Sequence, residues 1–211
     1  MRQSLPTDQV TEQVLAPFGM GRDLDLFEQI RTYISTLLQW NRKIALTTVI
    51  YPVEILRVHF GESFFAASAA GITGGRVADI GTGAGFPGIP IRMVSRSVEL
   101  TLMEPIAKKT AFLAEVLRKT EITGVMIMRC RMEEAEASVF DFDYITARAL
   151  GRYGDLLKWS KARLSQNGRV VLLIGQKDAC ELRKINDYVW ERETLVPGSN
   201  SRVVIIGSPL R

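Results

Sequence analysis

A glycine-rich segment between two apolar stretches is the part of the sequence best suited to binding a ligand. Residues 79–88 read DIGTGAGFPG, following the apolar run 76–80 and preceding a helix-like stretch. This is the context in which such a loop binds a small molecule. Glycine lets the backbone turn sharply and lets a ligand approach the peptide plane. We therefore predict a small-molecule site at Gly81, Gly83 and Gly85.

Two acidic residues indicate which ligand this loop binds. Asp79, two residues before Gly81, would repel a dinucleotide pyrophosphate but suits an ammonium group, reached through the loop or a water. Glu104 ends the next predicted strand, where a carboxylate accepts hydrogen bonds from ribose hydroxyls. S-Adenosylmethionine has an ammonium and a ribose but no phosphate, so the pattern predicts S-adenosylmethionine as the cofactor. The alternative is a glycine turn that only packs helix on strand, with Glu104 in solvent.

The loop after the third predicted strand offers a further contact to the cofactor. Residues 129–134 read RCRMEE. Such a loop usually holds the adenine through backbone groups and one polar side chain, which makes Met132 and Glu133 the candidates. Alternatively, Glu133 and Glu134 only begin a helix, where acidic side chains interact favourably with the helix dipole.

Strand-like and helix-like stretches alternate from residue 76 onward, which predicts a mostly parallel, doubly wound α/β sheet. Two weaker runs around the turn signal 197–200 predict a closing antiparallel hairpin. Together they describe the Rossmann-like fold of class I S-adenosylmethionine-dependent methyltransferases. The predicted strands cover 76–80, 98–103, 125–128, 143–147, 169–174, 188–196 and 202–207, and the predicted helices cover 89–95, 106–120, 132–138 and 153–165.

Residues 1–70 are predicted to be an N-terminal helical extension of a methyltransferase domain at 71–211. Apolar residues recur every three or four positions between Leu24 and Leu38, which predicts an amphipathic helix with Asp23 as its N-cap. A second helix is predicted from Pro52 to Ala70, with the proline in the first turn.

The composition is typical of a cytoplasmic globular protein. No apolar run reaches the roughly 18 residues of a membrane span, and the first ten residues lack the apolar segment of a signal peptide. Cys130 and Cys180 have no metal-type spacing and are interpreted as thiols in a reducing compartment. We expect a monomer with no metal and no membrane partner.

The charge is unevenly distributed along the chain. Residues 71–211 carry 21 basic and 16 acidic side chains, although the net charge of the whole chain is only +4. A basic half indicates an anionic partner, of which nucleic acid is one candidate. A solvated basic surface explains the same numbers equally well.

Residues 79–90 (DIGTGAGFPGIP) resemble the bacterial 16S ribosomal RNA guanine-N7 methyltransferase family, also called glucose-inhibited division protein B. The PGIP ending is much rarer than the glycines, and the resemblance extends from about Trp40 to Gly207. It implies methyl transfer from S-adenosylmethionine to N7 of a guanine in 16S ribosomal RNA or the small ribosomal subunit. The supporting residues are Asn41, Leu46, Thr47, His59, Ser63, Lys108, Lys109, Phe112, Leu113, 131–134 and 147–149.

The resemblance also implies roles for individual residues. Arg131 matches a basic position near the substrate. From the residues alone, Arg148 would be a strand-end arginine paired with a surface acid. The positions that match S-adenosylmethionine-binding positions of the family are Gly81, Phe86, Met132, Glu133 and Arg148.

Several positions depart from the family's pattern, and they concern the RNA side more than the cofactor side. Ile174 stands where the family has a lysine that could contact the RNA, and Lys177 lies close enough in sequence to compensate. The other departures are Ala45 for asparagine, Val58 for arginine and Glu62 for aspartate.

No catalytic acid–base pair is expected, because guanine N7 has an exposed lone pair and attacks without losing a proton. Phe86, Tyr153 and Trp159 are candidates for stacking on a flipped base, although Trp159 suits the core better. His59, the single histidine, is predicted to link the N-terminal helices to the core.

Three other functions stay open on the sequence. The chain could methylate a protein or a small molecule instead of RNA. It could be an NAD-dependent oxidoreductase, against which Asp79 argues, as does Phe86, which stands where a G-x-G-x-x-G motif that starts at Gly81 would need its last glycine. It could also be a non-catalytic RNA-binding relative, which the departure at Ile174 would favour.

Overall fold

One eight-stranded sheet forms the centre of the computed structural model, which describes residues 4–135, 141–191 and 193–211. The strand order is β3-β2-β1-β4-β5-β8-β6, with β7 also pairing with β8. Strands β1 to β5 pair in parallel, and β8 pairs antiparallel with β5, β6 and β7. The predicted doubly wound sheet with an antiparallel ending is confirmed. The strands are β1 Gly74–Ile80, β2 Ser97–Met103, β3 Val125–Met128, β4 Phe142–Arg148, β5 Leu164–Gly175, β6 Tyr188–Trp190, β7 Thr194–Leu195 and β8 Arg202–Pro209.

Helices cover both faces of this sheet, as the right-handed crossovers of parallel strands require. A π-helical turn at Leu56–Gly61 joins α3 to α4, and a three-ten turn follows β3 at Met132–Glu134. In the described parts of the chain, no helix combines the length and the apolar character needed to cross a membrane. The helices are α1 Asp8–Leu15, α2 Leu24–Asn41, α3 Pro52–Ile55, α4 Glu62–Ala69, α5 Gly88–Val94, α6 Ala107–Thr120, α7 Tyr153–Lys161 and α8 Gln176–Leu182.

Helix α2 forms where the sequence predicts it, whereas the helix predicted from Pro52 to Ala70 is divided by the π-helical turn, and α1 was not predicted as a separate helix. The side chain of Asp23 accepts a hydrogen bond from the Leu26 backbone N–H at 3.0 Å, which makes Asp23 the N-cap of α2. Helix α2 buries the face that contains Phe27, Ile34 and Leu37. Burying a side chain of this size stabilises the fold by about 1.5–3 kcal/mol, so packing of this face determines where the helix lies.

Two apolar clusters lie on opposite faces of the sheet. The first joins the N-terminal helices to α5, α6 and the sheet, and it includes Phe27, Phe60, Val77 and Val171. The second lies under α7 and α8 and contains Trp159, which confirms the core position expected for that residue. The predicted division at residue 70 stays a prediction, and the segments on its two sides share the first cluster.

The structure differs from the predicted elements in the second half of the chain. The predicted helix 153–165 ends at Lys161, because Leu164 already pairs with Phe142 at the start of a long β5. Helix α8 was not predicted, although it has a buried side that contains Ala179 and Leu182. Of the predicted helix 132–138, the structure has the three-ten turn, and residues 136–138 lie outside the described residues.

Candidate active site

A cavity of about 190 Å³ opens at the carboxyl end of the parallel strands. It lies beside β1 and β4, where the strand order reverses, which is the usual ligand position in such sheets. Sites that bury a drug-sized ligand measure roughly 300–1,000 Å³, so this cavity encloses part of such a ligand. Its lining residues are Ile80, Gly81, Met103, Glu104, Pro105, Cys130, Arg131, Met132, Glu133, Leu150 and Arg152. Five of the predicted site residues are therefore brought together.

A larger cleft of about 610 Å³ lies at the opposite edge of the sheet. It is bordered by polar residues of α2 and by the ends of α5 and α6, among them Gln29, Arg92 and Thr120. None of the predicted site residues lines it. Because ligands of this fold bind at the carboxyl ends of the strands, the smaller cavity is the candidate site.

The glycine loop forms one wall of the candidate site and needs glycine at two positions for different reasons. Gly83 has a φ of +58°, a left-handed conformation, and a Cβ there would meet only the Gly81 carbonyl oxygen, at 3.8 Å. A Cβ at Gly85 would lie 2.3 Å from the Tyr33 hydroxyl oxygen. Gly83 therefore keeps an open cradle at the surface of the loop, whereas Gly85 lets α2 pack closely behind it.

Asp79 is fully buried beneath the glycine loop and does not line the cavity. One carboxylate oxygen accepts hydrogen bonds from the Thr82 hydroxyl and from the Gly88 backbone N–H, the latter at 2.9 Å. The other accepts from the Thr146 hydroxyl at 3.1 Å. Burial raises the pKa of this carboxyl to about 6. Asp79 thus ties the loop to the start of α5 and to β4, and any effect on a bound ammonium group passes through the loop.

Glu104 lines the cavity and is only 3% exposed. Its Oε2 accepts a hydrogen bond from the Gly83 backbone N–H at 3.1 Å, and its Oε1 accepts one from the Ile106 backbone N–H at 2.9 Å. Each carboxylate oxygen has a second lone pair, so both can accept a further hydrogen bond. Glu104 therefore connects the glycine loop to the end of β2 and keeps acceptor capacity for a ligand.

The loop after β3 closes another side of the cavity. Met132 is buried there, and Glu133 forms an ion pair of 2.9 Å with Arg152. The carboxylate of Glu134 accepts a hydrogen bond from the Arg131 backbone N–H at 2.9 Å, and Arg131 itself is exposed. The loop therefore begins a short three-ten helix and also lines the cavity, and its contact with the adenine stays a prediction.

Phe86 and Arg148 lie behind the glycine loop instead of in the cavity. The Phe86 ring is 4% exposed and stacks on Tyr33 and His59, with centroid distances of 5.2 and 4.7 Å. The suggested stacking of Phe86 on a flipped base is therefore wrong for this structure. Arg148 donates hydrogen bonds to the Val58 carbonyl at 3.1 Å and to Nδ1 of His59 at 2.8 Å. Its partner is a histidine, not the surface acid considered from the sequence.

His59 joins the N-terminal segment to the sheet. Because a guanidinium group only donates, Nδ1 accepts from Arg148, and the protonated Nε2 donates to the Thr47 hydroxyl at 2.8 Å. Burial and the positive charge of Arg148 lower the pKa of His59 to about 3. The predicted linking role of His59 is confirmed, and the ring is neutral at physiological pH.

Some residues of the candidate site were missed by reasoning from the sequence. Cys130, Leu150 and Arg152 line the cavity without belonging to the glycine motif. Leu150 and Arg152 directly follow β4, so their position after a strand that neighbours β1 was the available signal. Tyr33 had no such signal, because it reaches the loop only through packing of α2, donating a hydrogen bond to the Ala84 carbonyl at 2.5 Å.

A family model matches most of the chain. The model GidB, described as rRNA small subunit methyltransferase G, matches residues 26–196. The chain belongs to this family. It is 34% identical over 166 residues to ribosomal RNA small subunit methyltransferase G of Desulfitobacterium hafniense (strain Y51), covering 76% of this chain and 69% of that protein. It is 31% identical over 158 residues to the protein of the same name from Haemophilus ducreyi, covering 75% of this chain and 76% of that protein.

Solved structures share the fold of this member of the rRNA small subunit methyltransferase G family. The ribosomal protein L11 methylase of Lactobacillus delbrueckii subsp. bulgaricus has a TM-score of 0.62 at 14% identity, covering 74% of this chain and 80% of that chain. Precorrin-6y C5,15-methyltransferase of Geobacter metallireducens has a TM-score of 0.59 at 16% identity, covering 70% and 87%. Both likenesses concern the fold alone. They confirm the predicted fold, whereas membership of the family confirms the predicted enzyme class and S-adenosylmethionine as the cofactor.

The cavity of this rRNA small subunit methyltransferase G family member fits S-adenosylmethionine. Glu104 presents two carboxylate oxygens of the kind that accept hydrogen bonds from ribose hydroxyls. Gly83 leaves a cradle that any side chain would fill. Met132 supplies an apolar surface for a planar base. These groups match the ribose and the adenine of the cofactor.

Proposed function

We propose that this chain transfers a methyl group from S-adenosylmethionine to N7 of a guanine in 16S ribosomal RNA. The supporting observation is the convergence of Glu104, the glycine loop and Met132 on one cavity at the carboxyl end of the sheet, in a chain of this family. The N7 atom and the guanine come from the resemblance of residues 79–90 to the guanine-N7 enzymes. They are the part of the proposal that needs its own test.

The chain's contribution to this reaction is positioning. S-Adenosylmethionine, when bound, supplies a methyl group on a positively charged sulfur. Glu104 and Gly83 hold one side of the cofactor site in a fixed arrangement through their mutual hydrogen bond. Holding two reactants in the right geometry lowers a barrier by as much as about 7–11 kcal/mol, which leaves a large share of the rate enhancement to such contacts.

No general base is required in this proposal, and the titratable groups behind the loop are arranged accordingly. Guanine N7 carries a lone pair in the plane of the ring and needs no deprotonation. His59 has both ring nitrogens engaged, with Arg148 and Thr47. Asp79 accepts three hydrogen bonds within the protein. Both groups hold structure around the loop and are not free to move a proton.

Arg131 is proposed to contact the RNA from the edge of the cavity. Its side chain is exposed, and its guanidinium group has the planar fork of donors that matches a phosphate. A cation aimed at N7 would oppose the positive charge that develops on the base. We therefore assign Arg131 to a phosphate and not to the reacting atom.

The remaining predicted residues are proposed to shape the cofactor site from behind. Asp79 fixes the start and the end of the glycine loop through its three hydrogen bonds. Phe86 and Arg148 place that loop against His59 and the N-terminal helices. In this proposal, Asp79, Phe86 and Arg148 act on the cofactor indirectly, because together with Gly81 and Gly85 they determine the shape of the wall of the site.

The proposal includes two further expectations, that the chain is a monomer and that it works in the cytoplasm. Both cysteines are free thiols, which suits a reducing compartment. Sedimentation equilibrium of the purified chain tests the first expectation. A mass near 23.6 kDa is expected, and twice that mass would contradict it.

The test of the acceptor class offers the chain labelled S-adenosylmethionine with three acceptors in parallel. These are undermethylated 16S RNA or small subunits, a mixture of ribosomal proteins, and free guanosine. Label in RNA alone is expected. Label in protein or in free guanosine would show a methyltransferase of another substrate, and cofactor binding without transfer would show a non-catalytic relative. The Glu104→Gln variant serves as the control for transfer that depends on the cavity.

A further inference from the structure

A buried carboxylate lies among several arginines where the N-terminal helices meet the last strand. Glu62, on α4, is 2% exposed, and Nη2 of Arg202 lies 2.5 Å from its Oε1. Burial raises the pKa of the Glu62 carboxyl, and the positive charges of Arg202, Arg148 and Arg57 oppose that rise. The three guanidinium groups therefore act on one carboxylate.

This group of charges lies at the same edge of the sheet as the cavity. Arg148 is the last residue of β4, and the chain then continues to Leu150 and Arg152 in the cavity lining. Arg202 begins β8 and pairs with Gly175, the last residue of β5. Because β4, β5 and β8 are neighbours in the sheet, Arg202 lies two strands from Arg148, on the way outward from the cofactor site.

Positive charge is in excess at this place. Glu62 and the buried Asp79, which also acts on Arg148, can neutralise two of the three arginines, and Arg148 is already engaged by hydrogen bonds. Arg57 is half-buried and forms no hydrogen bond or close ion pair with any residue that the structure describes. The side chain of Arg202 stays 40% exposed while one nitrogen contacts Glu62. Partly buried charges are screened less by salt than fully exposed ones, so this excess attracts an anion effectively.

We propose that Arg57 and Arg202 form a phosphate-binding subsite for the RNA backbone next to the target base, with Glu62 as the residue that positions Arg202. A guanidinium group offers two parallel N–H donors to a phosphate, and a neighbouring carboxylate fixes the orientation of that fork. The subsite is formed jointly by α4, the π-helical turn and β8. It gives the N-terminal segment a part in holding the RNA. The inference rests on the proposed function, of which it names one contact with the substrate.

The test measures how salt weakens the binding of 16S RNA to the full chain. Each phosphate contact that is lost makes the slope of log affinity against log salt less steep by about 0.7–0.9. Arg57→Gln and Arg202→Gln should each show a change of this size. The ratio of the RNA affinity of the unchanged chain to that of each variant should then become about threefold smaller when the salt concentration is raised from 50 to 200 mM. The affinity for S-adenosylmethionine should stay the same in both variants.

Two further variants separate phosphate binding from structural damage. Arg183→Gln is the matched control, because the Arg183 side chain is also 40% exposed and also has one acidic partner, Glu193 at 3.8 Å. It should keep the slope of the unchanged chain. Arg202→Lys keeps the charge and should restore most of the slope that Arg202→Gln loses. Arg202→Gln leaves the Glu62 carboxylate buried without its ion pair, which can destabilise the chain. Arg57 has no close acidic partner among the described residues, so Arg57→Gln tests phosphate binding without this effect.

The results distinguish failure of this inference from failure of the proposed function. Slopes for Arg57→Gln and Arg202→Gln equal to those of the unchanged chain, or a parallel loss of cofactor affinity, would overturn the subsite. If the slopes change as expected but no methyl group reaches 16S RNA, the subsite stands and the proposed reaction fails. Salt-independent RNA binding by the unchanged chain would overturn the subsite regardless of any methylation.

Discussion

Replacing Glu104 with glutamine separates a cofactor-binding role from a purely structural one. The change keeps the size of the side chain and removes its charge. In the structure the carboxylate accepts two backbone hydrogen bonds, from Gly83 and Ile106. An amide has one acceptor oxygen and one donor nitrogen, so one backbone N–H must lose its partner. The affected bond is one to a charged group, for which the loss is about 1.5–3 kcal/mol.

The same substitution weakens the binding of S-adenosylmethionine by an amount that can be estimated. A carboxylate accepts hydrogen bonds from ribose hydroxyls with both oxygens, whereas the amide retains one acceptor that Gly83 and Ile106 already compete for. Losing one hydrogen bond to a charged group corresponds to about 1.5–3 kcal/mol. That loss corresponds to a Kd roughly 10- to 150-fold higher.

Isothermal titration of S-adenosylmethionine, combined with urea unfolding, measures the two effects separately. Glu99→Gln, at an exposed position on β2, is the control and should change neither quantity. A Glu104→Gln variant whose stability falls while its Kd stays within twofold of the unchanged chain would refute the ribose-binding role. Glu104 would then serve only to connect the loop to β2.

Three further predictions concern the residues around the glycine loop. Tyr33→Phe keeps the ring stacking but removes the 2.5 Å hydrogen bond to Ala84, so urea unfolding should show a loss of about 1–3 kcal/mol, and an unchanged stability would argue against that bond. Gly83→Ala should lower cofactor affinity and cost only about 1–2 kcal/mol of stability, because an alanine is strained in the left-handed backbone at this position. Gly85→Ala places a Cβ 2.3 Å from the Tyr33 oxygen and should destabilise the chain more. Calorimetry that shows Gly83→Ala to be the less stable of the two variants would contradict the loop geometry. His59 has a pKa of about 3 in the folded chain against an ordinary 6.5, so the unfolded chain binds a proton at this residue more readily. The free energy of unfolding should therefore fall as the pH is lowered from 6.5. Asp79, whose pKa is raised to about 6 in the folded chain, opposes this fall below pH 6. His59→Asn should therefore be less sensitive to acid than the unchanged chain, and equal pH profiles would exclude this role of His59.

The elements that depend on local pattern were predictable from the sequence. Alternating apolar and amphipathic stretches predict the parallel strands and most helices, because the core rewards those periodicities directly. The start of β5 was not predictable, because Leu164 joins the strand through its pairing with Phe142, about twenty residues earlier in the chain. Gly168 allows that pairing, since a Cβ there would lie 2.7 Å from the Phe142 carbonyl oxygen.

The candidate site was predictable where its residues share one sequence motif or one strand end. Gly81, Glu104 and Met132 follow strands β1, β2 and β3, so the topology brings them to one edge. The direction of a buried side chain does not follow from such a pattern. Phe86 belongs to the motif, yet its ring packs against Tyr33, away from the cavity.

The N-terminal segment contributes more to the site than its description as an extension implies. Tyr33 and His59 reach the glycine loop and the end of β4 through contacts between residues distant in sequence. Glu62 and Arg202 meet across an even longer stretch of the chain. Contacts of this kind depend on how whole helices pack, and no local spacing encodes them. At the departure Ile174, the structure has a buried side chain in the second apolar cluster, so this position supplies packing instead of charge.

The central claim is tested most directly by identifying the nucleoside that the chain methylates. Undermethylated small subunits are incubated with the chain and S-adenosylmethionine labelled in the methyl group, and the 16S RNA is digested completely to nucleosides. Separation by chromatography with mass detection should place the label in 7-methylguanosine alone, at about one methyl group per RNA molecule, and the signal should fall strongly with Glu104→Gln. Label in any other nucleoside, or none in RNA from a chain that binds S-adenosylmethionine, would contradict guanine-N7 methylation as its activity.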